Sequence, residues 1–462
     1  MSKPKKKKKA VPQEKRKRLD PLERINFDAG GVDIGASLIV ATVPVGRDEI
    51  GIRNFGTFTR DLLEIRDWFK SCKVKTVAME STGVYWINLF EILESAGFDV
   101  FLVDSRKTKN VSGRKSDVDD SEWIYQLHTY GLLPKCFRPP EDLRKIRDMV
   151  RARESIIQTR STHVNRMHKA LTCMNLKLSN VITDISGTTG MAIIRAIVAG
   201  ERDACVLSKH RDPRCKSSEE EIIKSLEGNY QDVHLFLLKQ ELEMYDYLGQ
   251  KLLEVDKFIE TLYGKIESQV DVEEKPLGEQ EKKKKKRNKN APDFDLRSQL
   301  YRITGVDLTA IDGLNASSVQ TIIAHTGVNM SRWPSHKEFV SWLRLCPNND
   351  ITGGRVISSR TKKSSNGASQ ALRVAAMSLE KNNSALGAYY RRMKAKHDAQ
   401  TAIIASAAKI ARIIYAMVSK KTEYRDVGSD DYEKKDFKKI LKNLKYRASK
   451  LGFDLVLKEA QQ

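Results

Sequence analysis

Gly30-Gly31-Val32-Asp33-Ile34-Gly35 and, further on, Val77-Ala78-Met79-Glu80-Ser81-Thr82-Gly83 are the two stretches that decide how this chain folds. Each begins as an apolar run with the character of a buried strand and delivers a carboxylate at its end, Asp33 in one and Glu80 in the other. A second acidic pair, Asp117 and Asp120, opens a predicted helix, and its i, i+3 spacing puts both on one face. Four oxygen donors carried by separate elements can converge. Hard oxygen ligands of this kind suit Mg2+, with Mn2+ as the alternative, and two such ions can clamp the attacking and leaving oxygens of a phosphodiester.

Working outward, residues 30–34 and 38–45 read as strands flanking a turn at Gly35, and 50–58 continues the sheet. An amphipathic helix follows over 61–72, a short buried strand over 74–79, a helix over 84–96 stopped by Gly97, and a strand over 98–103. A basic loop (Arg106, Lys107, Lys109, Arg114, Lys115) then leads to the helix with Asp117 and Asp120. The order βββαβαβ matches the α/β ribonuclease H-like fold, in which the first strand, the fourth strand and the last helix bring their acids together. Residues 141–172 predict a long charged helix. A second one has Leu235, Leu238, Leu242, Tyr245, Leu248, Leu252, Val255, Ile259 and Leu262 at steps of three and four, a coiled-coil seam. That seam fits two helices packed within one chain, and it fits a dimer.

Residues 268–297 are lysine-rich without apolar period and read as a linker. Beyond it, Ile303-Thr304-Gly305-Val306 and Ile311-Asp312-Gly313-Leu314 precede a helix at 317–325. This resembles a helix-hairpin-helix, whose turn amides cradle a phosphate, and equally a glycine-capped structural turn. Next comes Leu345-Cys346-Pro347-Asn348-Asn349-Asp350-Ile351-Thr352-Gly353-Gly354-Arg355, followed by Ser358 and Ser359. Alanine-dense helices fill 368–419, with a basic and aromatic stripe of Tyr389, Tyr390, Arg391, Arg392, Lys394 and Lys396.

The chain has 462 residues and a formal net charge of +22, concentrated at two places. Residues 1–26 hold eleven Lys/Arg against three Asp/Glu, and residues 278–290 hold seven against two. Such runs add salt-sensitive, sequence-independent affinity for a polyanion, or serve as solvated tail and linker. Six cysteines without a scaffold-like spacing point to a reducing compartment, and Cys205, His210 and Cys215 are too few for a structural zinc site. No run approaches a membrane span, so no membrane partner is expected.

Glu80 within Glu-Ser-Thr-Gly-Val-Tyr, Arg114-Lys115-Ser116-Asp117-Val118-Asp119-Asp120, and the downstream Gly-hairpin and Thr-Gly-Gly segments together resemble one family. It is the DEDD transposases of the insertion-sequence one-ten and eleven-eleven groups, relatives of the Piv-type DNA invertases, and the resemblance runs from about residue 28 to 425. It implies a cytoplasmic, nucleoid-associated prokaryotic recombinase that cuts and rejoins donor and target DNA under a structured noncoding guide RNA. It further implies a homo-oligomer, dimer or tetramer. Carried over by motif, the metal-binding acids are Asp33, Glu80, Asp117 and Asp120, with Asp119 the competitor in its cluster. The family's nucleophilic serine matches Thr352, so the chain departs from the pattern there; Ser358 or Ser359 is the alternative. The implied organisation is a basic tail (1–26), a RuvC-like catalytic domain (27–140) and coiled-coil helices (141–267) with a helical insertion at 174–221. The linker (268–297), a C-terminal transposase domain (298–425) and an extension (426–462) complete it. Competing readings are a RuvC-like nuclease that activates water, an actin-like ATPase lacking its second phosphate loop, and a non-catalytic nucleic-acid scaffold.

Overall fold

The computed structural model describes residues 23–81, 83–104, 117–278, 289–364 and 366–456. They divide into two compact units, before and after the Arg138–Pro139 junction. The N-terminal unit is a five-stranded sheet: β1 (Ala29–Ile34), β2 (Ile39–Thr42), β3 (Ile52–Phe55), β4 (Thr76–Glu80) and β5 (Asp99–Val103), in spatial order β3-β2-β1-β4-β5. β1 runs antiparallel to β2 and parallel to β4, and β4 is parallel to β5. The parallel crossovers are made by α1 (Thr59–Ser71) and α2 (Trp86–Ser95), and α3 (Asp117–Thr129) follows β5. β2 and β3 are shorter than the runs 38–45 and 50–58 lead one to expect. Pro44 has no N–H for the ladder, and Gly46 turns the chain in the left-handed region at φ 81°.

The period of two along the strands sorts the sheet into two faces. Val32, Ile34, Val77, Met79, Val100 and Leu102 face α1 and α2 in one apolar core with Ile65, Phe69 and Leu89. The alternate residues Ala78 and Val103 pack instead with Ile124 of α3 and Leu133. Each such fully buried aliphatic contributes about 1.5–3 kcal/mol.

The second unit is helical. α4 (Glu141–Cys173) and α9 (Asp232–Gly264) lie antiparallel against each other, 33 residues each. Leu238, Leu242, Tyr245, Leu252 and Ile259 of the seam are buried against α4, so this periodicity is used within one chain. The register is pinned by a buried ion pair in which Arg153 Nε donates to Asp256 Oδ1 at 2.5 Å and Nη2 to Oδ2 at 3.1 Å. Between these helices the short α5 (Leu178–Val181), α6 (Thr188–Val198), α7 (Ala204–Ser208) and α8 (Glu219–Leu226) close a cluster around Ile193, Ile197 and Leu207.

The described parts of 268–297 are strapped down rather than hanging free: Gln269 N donates to Arg302 O at 2.8 Å and Asp293 N to Asp256 Oδ2 at 3.1 Å. Polar chain without apolar period is held here by backbone groups, which composition does not reveal.

Helices α10 (Leu296–Thr304), α11 (Ala316–Thr326), α12 (His336–Trp342), α13 (Gly367–Met377), α14 (Ala385–Lys396) and α15 (Ala399–Lys420) follow, and α16 (Gly428–Lys450) is the last helix among the described residues. A hairpin of β6 (Asp350–Thr352) and β7 (Arg355–Ser358) interrupts them. Contrary to the expectation of no membrane-length run, α15 is long and apolar enough to cross a membrane by length and composition, and half of that window is buried inside the protein. Ala402, Ala407, Ala408, Ile410, Ala411 and Ile414 are buried, and the helix packs on α13 and α14, the arrangement of a central helix.

Candidate active site

The parallel register pairs Val32 with Met79, so one step further along both strands Asp33 and Glu80 come side by side. Both belong to the face that carries Gly31 and Ala78, the face covered by α3. Glu80 is 8% exposed and sits opposite Val103 at the end of β5. Asp33 and Asp120 are half-buried.

Helix α3 is held against this face at three points. A Cβ on Gly31 would lie 2.5 Å from both Ser121 O and Tyr125 N, so the helix backbone rests directly on the strand. Beside it, the Thr42 and Ser121 hydroxyls share a hydrogen bond of 2.9 Å, and Ser121 is the residue next to Asp120. At the far end, His128 Nε2 and Thr76 Oγ1 are hydrogen-bonded at 2.9 Å, and the His128 ring lies 4.6 Å from that of Phe101. Burial holds the His128 pKa down at about 4, against a rise from Asp99 and a further lowering from Lys135. A neutral imidazole therefore acts here as a clamp.

The strand register thus places Asp33 and Glu80 on the sheet face that α3 covers, and Asp120 belongs to that helix. Asp117 lies one turn before Asp120 in α3, and its side chain is outside the described residues, as are Arg114, Lys115 and Ser116. Among the described residues, which include Asp33, Glu80 and Asp120, no group of three or more His, Cys, Asp or Glu side chains is gathered closely enough to hold a metal ion. In donor chemistry the set suits a hard divalent ion, since every member offers carboxylate oxygens. Gly31, Thr42 and Ser121 are absent from the set of acids that sequence reasoning selects. The readable signal is Gly31 itself, because a glycine inside a strand marks a close backbone approach.

Thr352 is placed differently. It ends β6 and pairs with Arg355 across Gly353 and Gly354, whose φ values of 56° and 76° make the two-residue turn of a tight hairpin. The strands are almost wholly exposed, with Ile351 at 61% and Ile357 at 71%, and a Cβ on either glycine would meet nothing within 4 Å. Ser358 pairs with Asp350 at the other end of the hairpin, away from the turn. The helix-hairpin-helix-like turn is used for packing: a Cβ on Gly313 would come within 2.7 Å of Ala375 O in α13.

A family model for DEDD transposases of the IS110 type, described as a transposase, matches residues 31–175. A second, described as the transposase IS116/IS110/IS902 family, matches residues 305–391. The first match contains all four acids and the second contains Thr352, Ser358 and Ser359. No curated protein matches the chain.

Proposed function

Because this chain belongs to the IS110 family of DEDD transposases, enzymes that cut and rejoin DNA with a divalent metal, we propose that Asp33, Glu80, Asp117 and Asp120 hold the metal and Thr352 is the nucleophile. The observation that carries this reading is the shared sheet face of Asp33, Glu80 and the clamped α3. A bound divalent ion, Mg2+ in this reading, supplies charge stabilisation at the phosphoryl group and lowers the pKa of the attacking hydroxyl. Thr352 Oγ1 forms a phosphoester as the strand oxygen leaves, and the proton lost by one oxygen balances that gained by the other. The phosphoester energy is conserved, so a strand hydroxyl can attack the adduct and rejoin DNA. Gly353 and Gly354 leave room for a phosphate to approach the turn.

Guidance by a structured noncoding RNA belongs to the same reading and is supported by the resemblance and the basic segments; RNA that copurifies and is sequenced tests it. So does a homo-oligomer. The exposed stripe of Val233, Leu237, Met244, Tyr247 and Phe258 on α9 is surface that such an assembly would cover.

Trapping on a nicked suicide substrate tests the nucleophile. The expected product is DNA attached to a peptide containing Ile351-Thr352-Gly353, lost in Thr352→Ala and kept in Thr352→Ser. An adduct on Ser358 or Ser359 moves the nucleophile along the hairpin. Metal-dependent cleavage with no adduct makes water the nucleophile.

A further inference from the structure

The last helix among the described residues, α16, lies beyond both family matches, and its two parts differ. Its first turns are anchored. Arg392 pairs with Asp436, Tyr432 meets Tyr389 edge-on at 6.4 Å, and Lys409 Nζ lies 4.2 Å and 4.8 Å from the centres of those two rings. From Phe437 onward the apolar side is open: Phe437, Leu444 and Leu451 are 65%, 45% and 76% exposed. With the half-buried Leu441 and Ala448 they follow one another at steps of four and three, the seam of a coiled coil.

The helix is nevertheless deliberately finished. Phe453 N donates to Ala448 O at 2.9 Å and Gly452 N to Ser449 O at 3.1 Å, with Gly452 at φ 81°, a Schellman stop. Most of a helix's stability in a protein comes from packing its apolar face, and the outer part of α16 leaves that face open.

The charges select it. Lys438, Lys445 and Arg447 take three of the four heptad positions that flank the seam, with Ile440 at the fourth, and residues 437–451 contain six Lys/Arg and no Asp/Glu. An antiparallel second copy sets Lys438 against Lys445, and either direction brings two all-cationic segments together. The acids of the helix, Asp430, Asp431, Glu433 and Asp436, precede Phe437 and do not reach the seam. A nucleic acid neutralises the cations but leaves the seam in water. An amphipathic helix with its own apolar seam flanked by Glu or Asp satisfies both. We propose that the outer part of α16 is a docking helix for an acidic amphipathic helix of another protein, joined as a heterodimeric coiled coil of about two heptads.

The test uses the full chain and a fluorescent three-heptad peptide with Leu at the seam and Glu at the flanking positions. Saturable binding is expected, weakened at least tenfold both by Leu444→Gln and, separately, by the pair Lys445→Glu with Arg447→Glu. The same peptide with Lys at the flanking positions should not bind. Leu444→Gln should leave the affinity for duplex DNA and for RNA, and the mass by light scattering, unchanged. Failure of the acidic peptide to bind, or equal binding of both peptides, overturns the proposal. A fall in nucleic-acid affinity in Leu444→Gln assigns the face to DNA or RNA instead, and a fall in mass assigns it to a second copy.

Discussion

The sheet face that bears Asp33 and Glu80 and the hairpin that bears Thr352 are built by opposite means. The first is held by a parallel ladder, a helix resting on a bare glycine and a buried hydroxyl pair. The second is two strands of three and four residues in solvent, joined by two glycines with nothing against them. An isolated two-stranded hairpin is at best marginal in water, so its geometry is completed by whatever it binds. In the proposed reaction the strand-borne acids Asp33 and Glu80 thus stand on a packed scaffold and the hydroxyl does not. A division of this kind keeps a covalent nucleophile idle until substrate orders it.

The largest expected effect removes the rigid half. Asp33→Asn, Glu80→Gln, Asp117→Asn and Asp120→Asn should each take strand cleavage below detection, with unchanged circular dichroism and RNA affinity. Asp119→Asn should keep most of the activity. Normal recombination by the Asp33 and Glu80 variants in Mg2+ would break the assignment of this face.

A pair of glycine substitutions measures the contrast itself. Gly31→Ala drives a methyl into the α3 backbone, costs about 1–3 kcal/mol and should lower both hydrogen-exchange protection of β1 and cleavage. Gly353→Ala meets no atom within 4 Å and bears only the left-handed backbone cost of about 1–2 kcal/mol. It should slow adduct formation and leave protection of the sheet intact. Equal loss of sheet protection in both variants would erase the distinction.

The effect that leaves activity at neutral pH least changed comes from His128, whose ring clamps α3 at the end away from the acids. Its folded pKa of about 4 lies below the ordinary 6.5, so between those values the unfolded chain binds a proton that the folded one does not. Stability is therefore full above pH 6.5, falls as the pH drops through that window and is lower by about 3 kcal/mol below pH 4. Thermal melts from pH 7 to pH 4 should show the decline, and His128→Gln should flatten it. An identical profile in that variant would mean that another group drives the acid sensitivity.

How much was legible differs between the two regions for a physical reason. Strand ends and their acids show in sequence because burial demands continuous apolar runs, as in Val77 to Met79, and a carboxylate interrupts them visibly. The hairpin at Gly353-Gly354 was not read from the sequence, since its exposed strands of three and four residues carry no burial pattern. The hold of Ser121 on Thr42 lies 79 residues apart in the chain and leaves no local trace.

The amino-acid sequence by itself determined the order of strands and helices in the N-terminal sheet, which family the chain belongs to and which acids stand at strand ends, because these follow from local periodicity and short motifs. The tertiary structure alone decided that Asp33 lies beside Glu80, that α3 seats on Gly31, and that the long seam of α9 is consumed by α4. Register and helix docking depend on contacts between residues remote in sequence. A shift of one residue in β1 or β4 would turn its acid to the opposite face of the sheet while leaving its composition unchanged.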